Sequence, residues 1–573
     1  YILKNLYIYF LRWGTWKVFE SIPDHQSGIV CFITSSSYLR GPAAKGLRRY
    51  LRREASAGWI IDLSPEGKRP PAASAIFAIE TPVSIGLFVR EATNTPDVPA
   101  DIKYVVFSGT REQKFQQLRD FSLDSSLLQD VRTSEVAPFT PASIGDWDHL
   151  PAVDQLFPWY SPGVTGNRRW PCGPSRSILK SRWKSLREEQ DLNTKRIKLQ
   201  VTRDRTLEKV VKPLTDEVAR VGSLSGGMDA DPLIHRLAYR SLDRQWIIAD
   251  ARVLDMPRPP LWEADTSGQV FVSEQHSVSL SADSPGLSFS ALKPDLNHFN
   301  NRGGRTLPLL HPDGTPNLAP GLLEGLAAVA SIQSDHEDLL AYVAGVVAHP
   351  AFTATFVDEL TTPGVRVPIT RDPVLWARAV ELGREVIWLH TYAERYVDSA
   401  AGREASNVRS GWPMDAQPKS LEAVITMPVK LQYDDVRTQV VFTDDDGARN
   451  GVWGPVPRAV FDYTVGGMNV IGSWFKYRKK NPGGKKTSPL DDIHVTEWPH
   501  EWTLEFTELL TVLTRLVDLE PQQGTLLDDV LAGELISMND LSDAGVKWPQ
   551  TRDDRKPRRV AKTTAAQPTL YDQ

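Results

Sequence analysis

Cysteine is nearly absent from this 573-residue chain: Cys31 and Cys172 are the only two, far apart and without His or Cys neighbours at ligand spacing. That excludes a disulfide framework and a Cys/His zinc site, and a reducing cytoplasm fits best. Long apolar runs are missing as well. None approaches 18 uninterrupted residues, and the N-terminus lacks the order of charge, apolar core and small-residue cleavage site that marks a signal peptide. No membrane partner is expected. Nor is there an excess of positive charge, since 66 Lys and Arg stand against 71 Asp and Glu, a formal net charge of -5. Attachment to polyanions through bulk charge is excluded, and any nucleic-acid contact must come from local patches. No nuclease carboxylate-lysine cluster, phosphate-binding Gly-Lys-Ser/Thr loop or HExxH helix is visible, and no metal is expected.

What is present suffices for a multidomain protein, because 573 residues at 41% hydrophobic composition exceed the size at which one core stops growing. The opening "YILKNLYIYFLRWGTWKVFE" reads as a helix in full course. Ile2, Leu6, Tyr9, Trp13 and Trp16 recur at helical spacing with no cap before them and no initiator Met, which predicts a start inside a larger domain. Gly28–Thr34, Gly58–Leu63 and Val83–Glu91 read as strands, and Gly41–Ser56 as a basic amphipathic helix. Helix, strand, helix, strand, loop, strand is the pattern of an α/β domain, the second half of a doubly wound sheet. From about Ser122 to Leu150 the pattern dissolves into Ser, Asp, Thr and Pro, as in a linker. Arg176, Lys180, Arg182, Lys184 and Arg187 then share about three helical turns, a spacing that most simply gives a solvated face.

The strongest local signal is "YTVGGMNVIGSWFKYRKKNPGGKKTSPLDDI", Tyr463–Ile493. Lys476, Arg478, Lys479, Lys480, Lys485 and Lys486 surround a glycine-rich turn, with Trp474, Phe475 and Tyr477 beside them. Lysines supply charge for phosphates, arginine a planar fork for base edges, and aromatics flat faces for stacking. DNA is the expected ligand, with Trp474, Lys476, Tyr477, Arg478, Lys479, Lys480, Lys485 and Lys486 as candidate contacts. The structural alternative is a solvated basic loop over an aromatic core.

"NLYIYFLRWGTWKVFE", "SGIVCFITSSSYLRGPAAKGLRRYLRREASAGWIIDLSPEG" and "AIFAIETPVSIGLFVRE" resemble the downstream half of a gamma-class adenine-N6 DNA methyltransferase, as found in the Type ISP restriction-modification enzymes. "LFPWYSPGVTGNRRW", "SLDRQWIIADARVLDMPRPPLW", "LLAYVAGVVAHPAFTATFVDELTTPGVRVPIT", "EVIWLHTYAERY" and the basic stretch resemble the target recognition domain that follows. The resemblance implies the second half of a Rossmann-like methyltransferase sheet followed by a mixed α+β recognition domain. Its expected boundaries are 1–121 for the methyltransferase half, 122–150 for the linker, 151–545 for the recognition domain and 546–573 for a disordered tail. It implies a site-specific adenine methyltransferase of a restriction-modification or phage-defence system, acting on double-stranded DNA with S-adenosylmethionine. The family's glycine-rich cofactor turn and its Asn-Pro-Pro-Tyr type motif are not in this chain; the nearest sequence, "RPPLW" at Arg258–Trp262, has the wrong first residue. The chain alone is therefore expected to be inactive and to bind no cofactor. Upstream methyltransferase, helicase and nuclease portions, or a separate catalytic chain, are the implied partners. Phe77 matches the family's aromatic that stacks on a flipped base, with core packing as the alternative. Two other functions stay open: a stand-alone DNA-binding specificity subunit, and a structural α/β protein.

Overall fold

The computed structural model describes residues 6–559 except 22–26, 41–43, 66–72, 78, 80, 93–97, 132–137, 142–146, 216–221, 277, 279, 281–282, 358 and 362. The chain forms two compact units, residues 1–147 with 356–363, and 148–355 with 364–573.

The first unit is a mixed five-stranded sheet with helices. Its spatial order is β1 (Gly28–Ser35), β3 (Val83–Arg90), β2 (Ala57–Asp62), β4 (Asp101–Val106) and β5 (Gln129–Asp130). β3 runs antiparallel to both neighbours, β2 and β4 are parallel, and β5 is antiparallel again. The α/β alternation thus yields a sheet with reversed strands rather than a uniformly parallel one. Helix α1 (Leu6–Phe19) forms where expected but turns a different face inward: Ile8, Leu11, Thr15 and Phe19 are buried, while Leu6, Tyr9, Trp13 and Trp16 are exposed. A helix apolar on every side leaves periodicity unable to select the packed face. Ile2 lies outside the described residues.

Helix α2 (Lys45–Glu54) buries Leu47 and Leu51, and with them two of its arginines. Arg48 donates to the Tyr38 carbonyl at 2.9 Å, and Arg52 stacks 4.5 Å from the centroid of the Phe139 ring. Phe139 and Val131 are core residues of this unit, although both lie in the stretch whose composition reads as a linker. Two well-placed apolar anchors suffice to fasten a segment whose average composition is polar.

The second unit combines small antiparallel sheets with long helices. A three-stranded sheet holds β6 (Cys172–Gly173), β8 (Asp243–Ile248) and β7 (Ile234–Arg240); another holds β10 (Leu287–Ser290), β9 (Phe271–Glu274) and β11 (Arg305–Pro308). A four-stranded sheet orders β12 (Lys419–Glu422), β15 (Arg449–Gly454), β14 (Gln439–Thr443) and β13 (Lys430–Asp434). Helix α3 (His336–Val347) crosses α4 (Pro373–His390) at two glycines. A Cβ on Gly383 would lie 1.6 Å from the Ala341 carbonyl oxygen, and one on Gly345 2.3 Å from that of Ala379. The backbones touch, so no side chain fits between them.

Helix α5 (His500–Ala532) runs 33 residues and contains Pro521. The missing amide is outweighed because Leu526, Leu527 and Val530 continue the buried stripe, and Gln523 donates to the carbonyls of Ala344 and Gly345 at 3.3 and 3.1 Å. Residues 546–559, part of the expected tail, are held to the domain. Arg555 pairs with Asp154 at 3.1 Å, and Arg559 with Glu263 at 2.8 Å. Burial pushes the Asp154 carboxyl up, but Arg305 and Arg555 outweigh it and leave it below its ordinary value. Residues 560–573 lie outside the described part.

Candidate nucleic-acid interface

The basic stretch begins with a hairpin, β16 (Thr464–Val465) and β17 (Met468–Asn469), joined by Gly466 and Gly467 at φ of 56° and 77°. Both turn positions are left-handed, where glycine carries no Cβ penalty. Asn469 caps the next helix, the short segment Val470–Lys476, by accepting from Gly472 N at 2.6 Å.

The aromatic and cationic residues of this stretch then separate. Trp474 and Phe475 plug into an aromatic cluster: Phe475 lies 4.8 Å from Phe442, and Trp474 4.8 Å from Phe506, centroid to centroid. Tyr477 packs edge-on against Tyr239 at 5.1 Å and is also buried. Arg478 is 0% exposed. Its Nη2 lies 2.9 Å from Asp243 Oδ1 and 3.5 Å from Glu505 Oε2, and its guanidinium sits 4.1 Å over the Trp474 ring. Trp474, Tyr477 and Arg478, three of the expected DNA contacts, are buried and form the foundation of the loop. A sequence shows the fork of an arginine but not the two carboxylates, 235 positions upstream and 27 downstream, that claim it.

The lysines face outward. Lys476, Lys480, Lys485 and Lys486 are exposed and Lys479 is half-buried. Lys480 pairs with Asp445, and Lys486 with Asp492, whose carboxyl is held below its ordinary value by that ammonium. Lys476, Lys479 and Lys485 have no carboxylate partner among the described residues. The loop carrying them is pinned along its length. Lys480 N donates to the Pro428 carbonyl and Gly483 N to that of Lys476, both at 2.8 Å, while Arg169 Nη1 reaches the Pro482 carbonyl at 3.4 Å. At its far end the Asp491 carboxylate accepts from Thr487 N at 2.8 Å and Ser488 N at 3.0 Å. Gly483 lets the chain turn back over the Lys476 stem, where a Cβ would lie 2.6 Å from Cγ. Such a loop presents its cations from a fixed backbone.

Beside it opens a polar cleft of about 470 Å³ lined by Lys476, Tyr477, Met468 and the loop Asn300–Arg302. This loop was not among the sequence candidates. Its signal is the run "HFNNRGGR", an arginine set among turn-forming residues.

On the basic helix Arg176–Arg187, Arg176, Lys180 and Lys184 are exposed, whereas Arg182 is buried and donates to the Ile493, Trp170 and Cys172 carbonyls at 2.9, 3.2 and 3.0 Å. In the first unit, Phe77 stands 44% exposed between β2 and β3, and its neighbour Ile76, at 4%, fills the core position. The Pro-rich run before it lies outside the described residues. Among the described residues no group of His, Cys, Asp and Glu is placed to hold a metal, and no helix is long and apolar enough to cross a membrane.

The fold is similar to that of the ATP-dependent Type ISP restriction-modification enzyme LlaBIII bound to DNA, with a TM-score of 0.59, 17% identity, and coverage of 92% of this chain and 36% of that one. It is similar too to the chain in the DrdV–DNA complex, at TM-score 0.58, 17% identity and coverage of 92% and 52%. A nuclease-deletion mutant of the Type ISP enzyme LlaGI, in complex with a DNA substrate mimic, matches at TM-score 0.53, 16% identity and coverage of 86% and 39%. This chain thus spans between about a third and a half of those chains. No curated protein matches it significantly. Residues 155–509, more than half of the chain, match the model of the Type ISP C-terminal specificity domain, and the chain belongs to that family.

Proposed function

We propose that this chain supplies the DNA-recognition part of a site-specific adenine-N6 DNA methyltransferase in a Type ISP restriction-modification system. The observation that carries the reading is the pinned loop with Lys476, Lys479 and Lys485, cations without a carboxylate partner among the described residues, in a specificity-domain fold. Phosphates release condensed counterions when such cations approach, and a fixed loop loses little entropy on binding. The methyl donor, S-adenosylmethionine, and the catalytic amide motif belong to another portion of the full enzyme, together with the helicase and nuclease. Phe77, on an exposed loop of the first unit, is the residue we assign to stacking on the flipped adenine.

Fluorescence anisotropy with a labelled duplex tests the reading. The chain binds at low salt, its affinity falls linearly on a log–log scale as salt rises, and calorimetry detects no S-adenosylmethionine binding. Failure to bind duplex at low salt sinks the DNA reading, whereas micromolar uptake of S-adenosylmethionine sinks the assignment of that site to another portion.

A further inference from the structure

Among the described residues, the cleft beside the basic loop is lined by two cations, Arg302 and Lys476, and by no carboxylate. Its ligand is therefore anionic or rich in acceptors. Arg302 is exposed and makes no ion pair or side-chain hydrogen bond among the described residues. Four hydrogen bonds with Gln275, Asn297 and Gly466 hold the loop that carries it. Gln275 Nε2 donates to Asn300 Oδ1 at 2.6 Å and to the Gly303 carbonyl at 3.0 Å. Asn297 Oδ1 accepts from Gly303 N at 3.1 Å, and Asn300 Nδ2 donates to the Gly466 carbonyl at 3.2 Å. Asn301 takes a left-handed φ of 61°, a conformation that asparagine tolerates better than most residues. Gly466 is required at its place, since a Cβ there would lie 2.6 Å from Asn300 Nδ2.

An unpaired planar fork on a backbone held this firmly suits a task that needs direction. Phosphates accept a cation from many angles, and the lysines nearby already supply that contact. A base edge demands a donor pair at a set place, and guanine offers O6 and N7 to an arginine fork. We infer that Arg302 reads a guanine in duplex DNA, with Gln275 and Asn300 as positioning residues that aim it. The inference rests on the DNA-binding reading above.

Binding-site selection from a randomised duplex pool, carried out with the full chain and its Arg302→Ala and Arg302→Lys variants, tests it. The parent should enrich a motif containing a guanine at which Arg302→Ala loses discrimination roughly ten- to hundred-fold. Arg302→Lys should keep the parent's salt dependence yet lose most of that preference, because an ammonium lacks the planar fork. Both variants should melt with the parent, Arg302 being exposed. Three results overturn the assignment while leaving DNA binding intact: unchanged discrimination in both variants, a parent that binds duplex without preference, or uniform weakening on all sequences with the salt slope reduced by about one, which marks a phosphate contact. A large melting loss also overturns it, since Arg302 would then be structural. A parent that binds no duplex removes the DNA reading itself, and this assignment with it.

Discussion

Arg478→Ala should unfold the recognition domain rather than change which DNA it binds. The guanidinium is fully buried between Asp243, itself 2% exposed, and Glu505, and it stacks on Trp474. Truncation leaves the buried Asp243 carboxylate without its cation, while Glu505 keeps Arg236 at 3.0 Å, and it opens a void behind the aromatic cluster. Removing one partner of a buried ion pair costs about 3–5 kcal/mol, against a total stability of about 5–15 kcal/mol for a domain. Entry of water would bring the loss toward the lower figure. Urea denaturation followed by tryptophan fluorescence reads this directly, since Trp474, Trp498, Trp502 and Trp453 all belong to the affected cluster. Pairing Arg478→Met with Asp243→Asn should recover part of the loss, because the charge no longer stands alone. The reasoning is refuted if Arg478→Ala denatures at the parent's urea midpoint and instead loses its preference for a particular DNA site.

Gly383→Ala forces a Cβ to 1.6 Å from the Ala341 carbonyl oxygen, so the α3–α4 crossing must open at a cost of about 3 kcal/mol or more; a melting temperature equal to the parent's contradicts it. His298, His349 and His390 are held below the imidazole range, at about 3, 4 and 4, chiefly by burial. Their unfolded value is about 6.5, so the stability they contribute is complete above that pH and is lost as pH falls toward 4; urea midpoints that stay level from pH 7 to 4 contradict this. Phe77→Ala should leave the melting temperature nearly unchanged, whereas Ile76→Ala should lower it by the equivalent of about 2–4 kcal/mol; the reverse ordering makes Phe77 the core residue.

The sequence told elements apart better than faces or partners. The strands of the first unit were legible from apolar runs. The inward face of α1 was not, because aromatics surround that helix, and the reach of α5 was hidden by Pro521, which normally ends one. The basic stretch divides the same way. Its outward lysines could be read from charge density, but the burial of Trp474, Tyr477 and Arg478 depends on Phe506, Tyr239, Asp243 and Glu505, which only the fold brings near. Arg302 and Asn301 sit in a short loop with no charge run to mark it, and their setting depends on Gln275 and Gly466 from distant segments.

DNA bound by this chain should cover the cations of the pinned loop. Acetylation of lysines by a water-soluble reagent, with the chain free and then saturated with duplex, followed by mass spectrometry, reports each ammonium separately. Lys476, Lys479 and Lys485 should be protected several-fold by duplex and should recover their reactivity when salt dissociates the complex. Equal reactivity of all three in the free and the saturated chain would contradict the account, because DNA would then be held by some other surface.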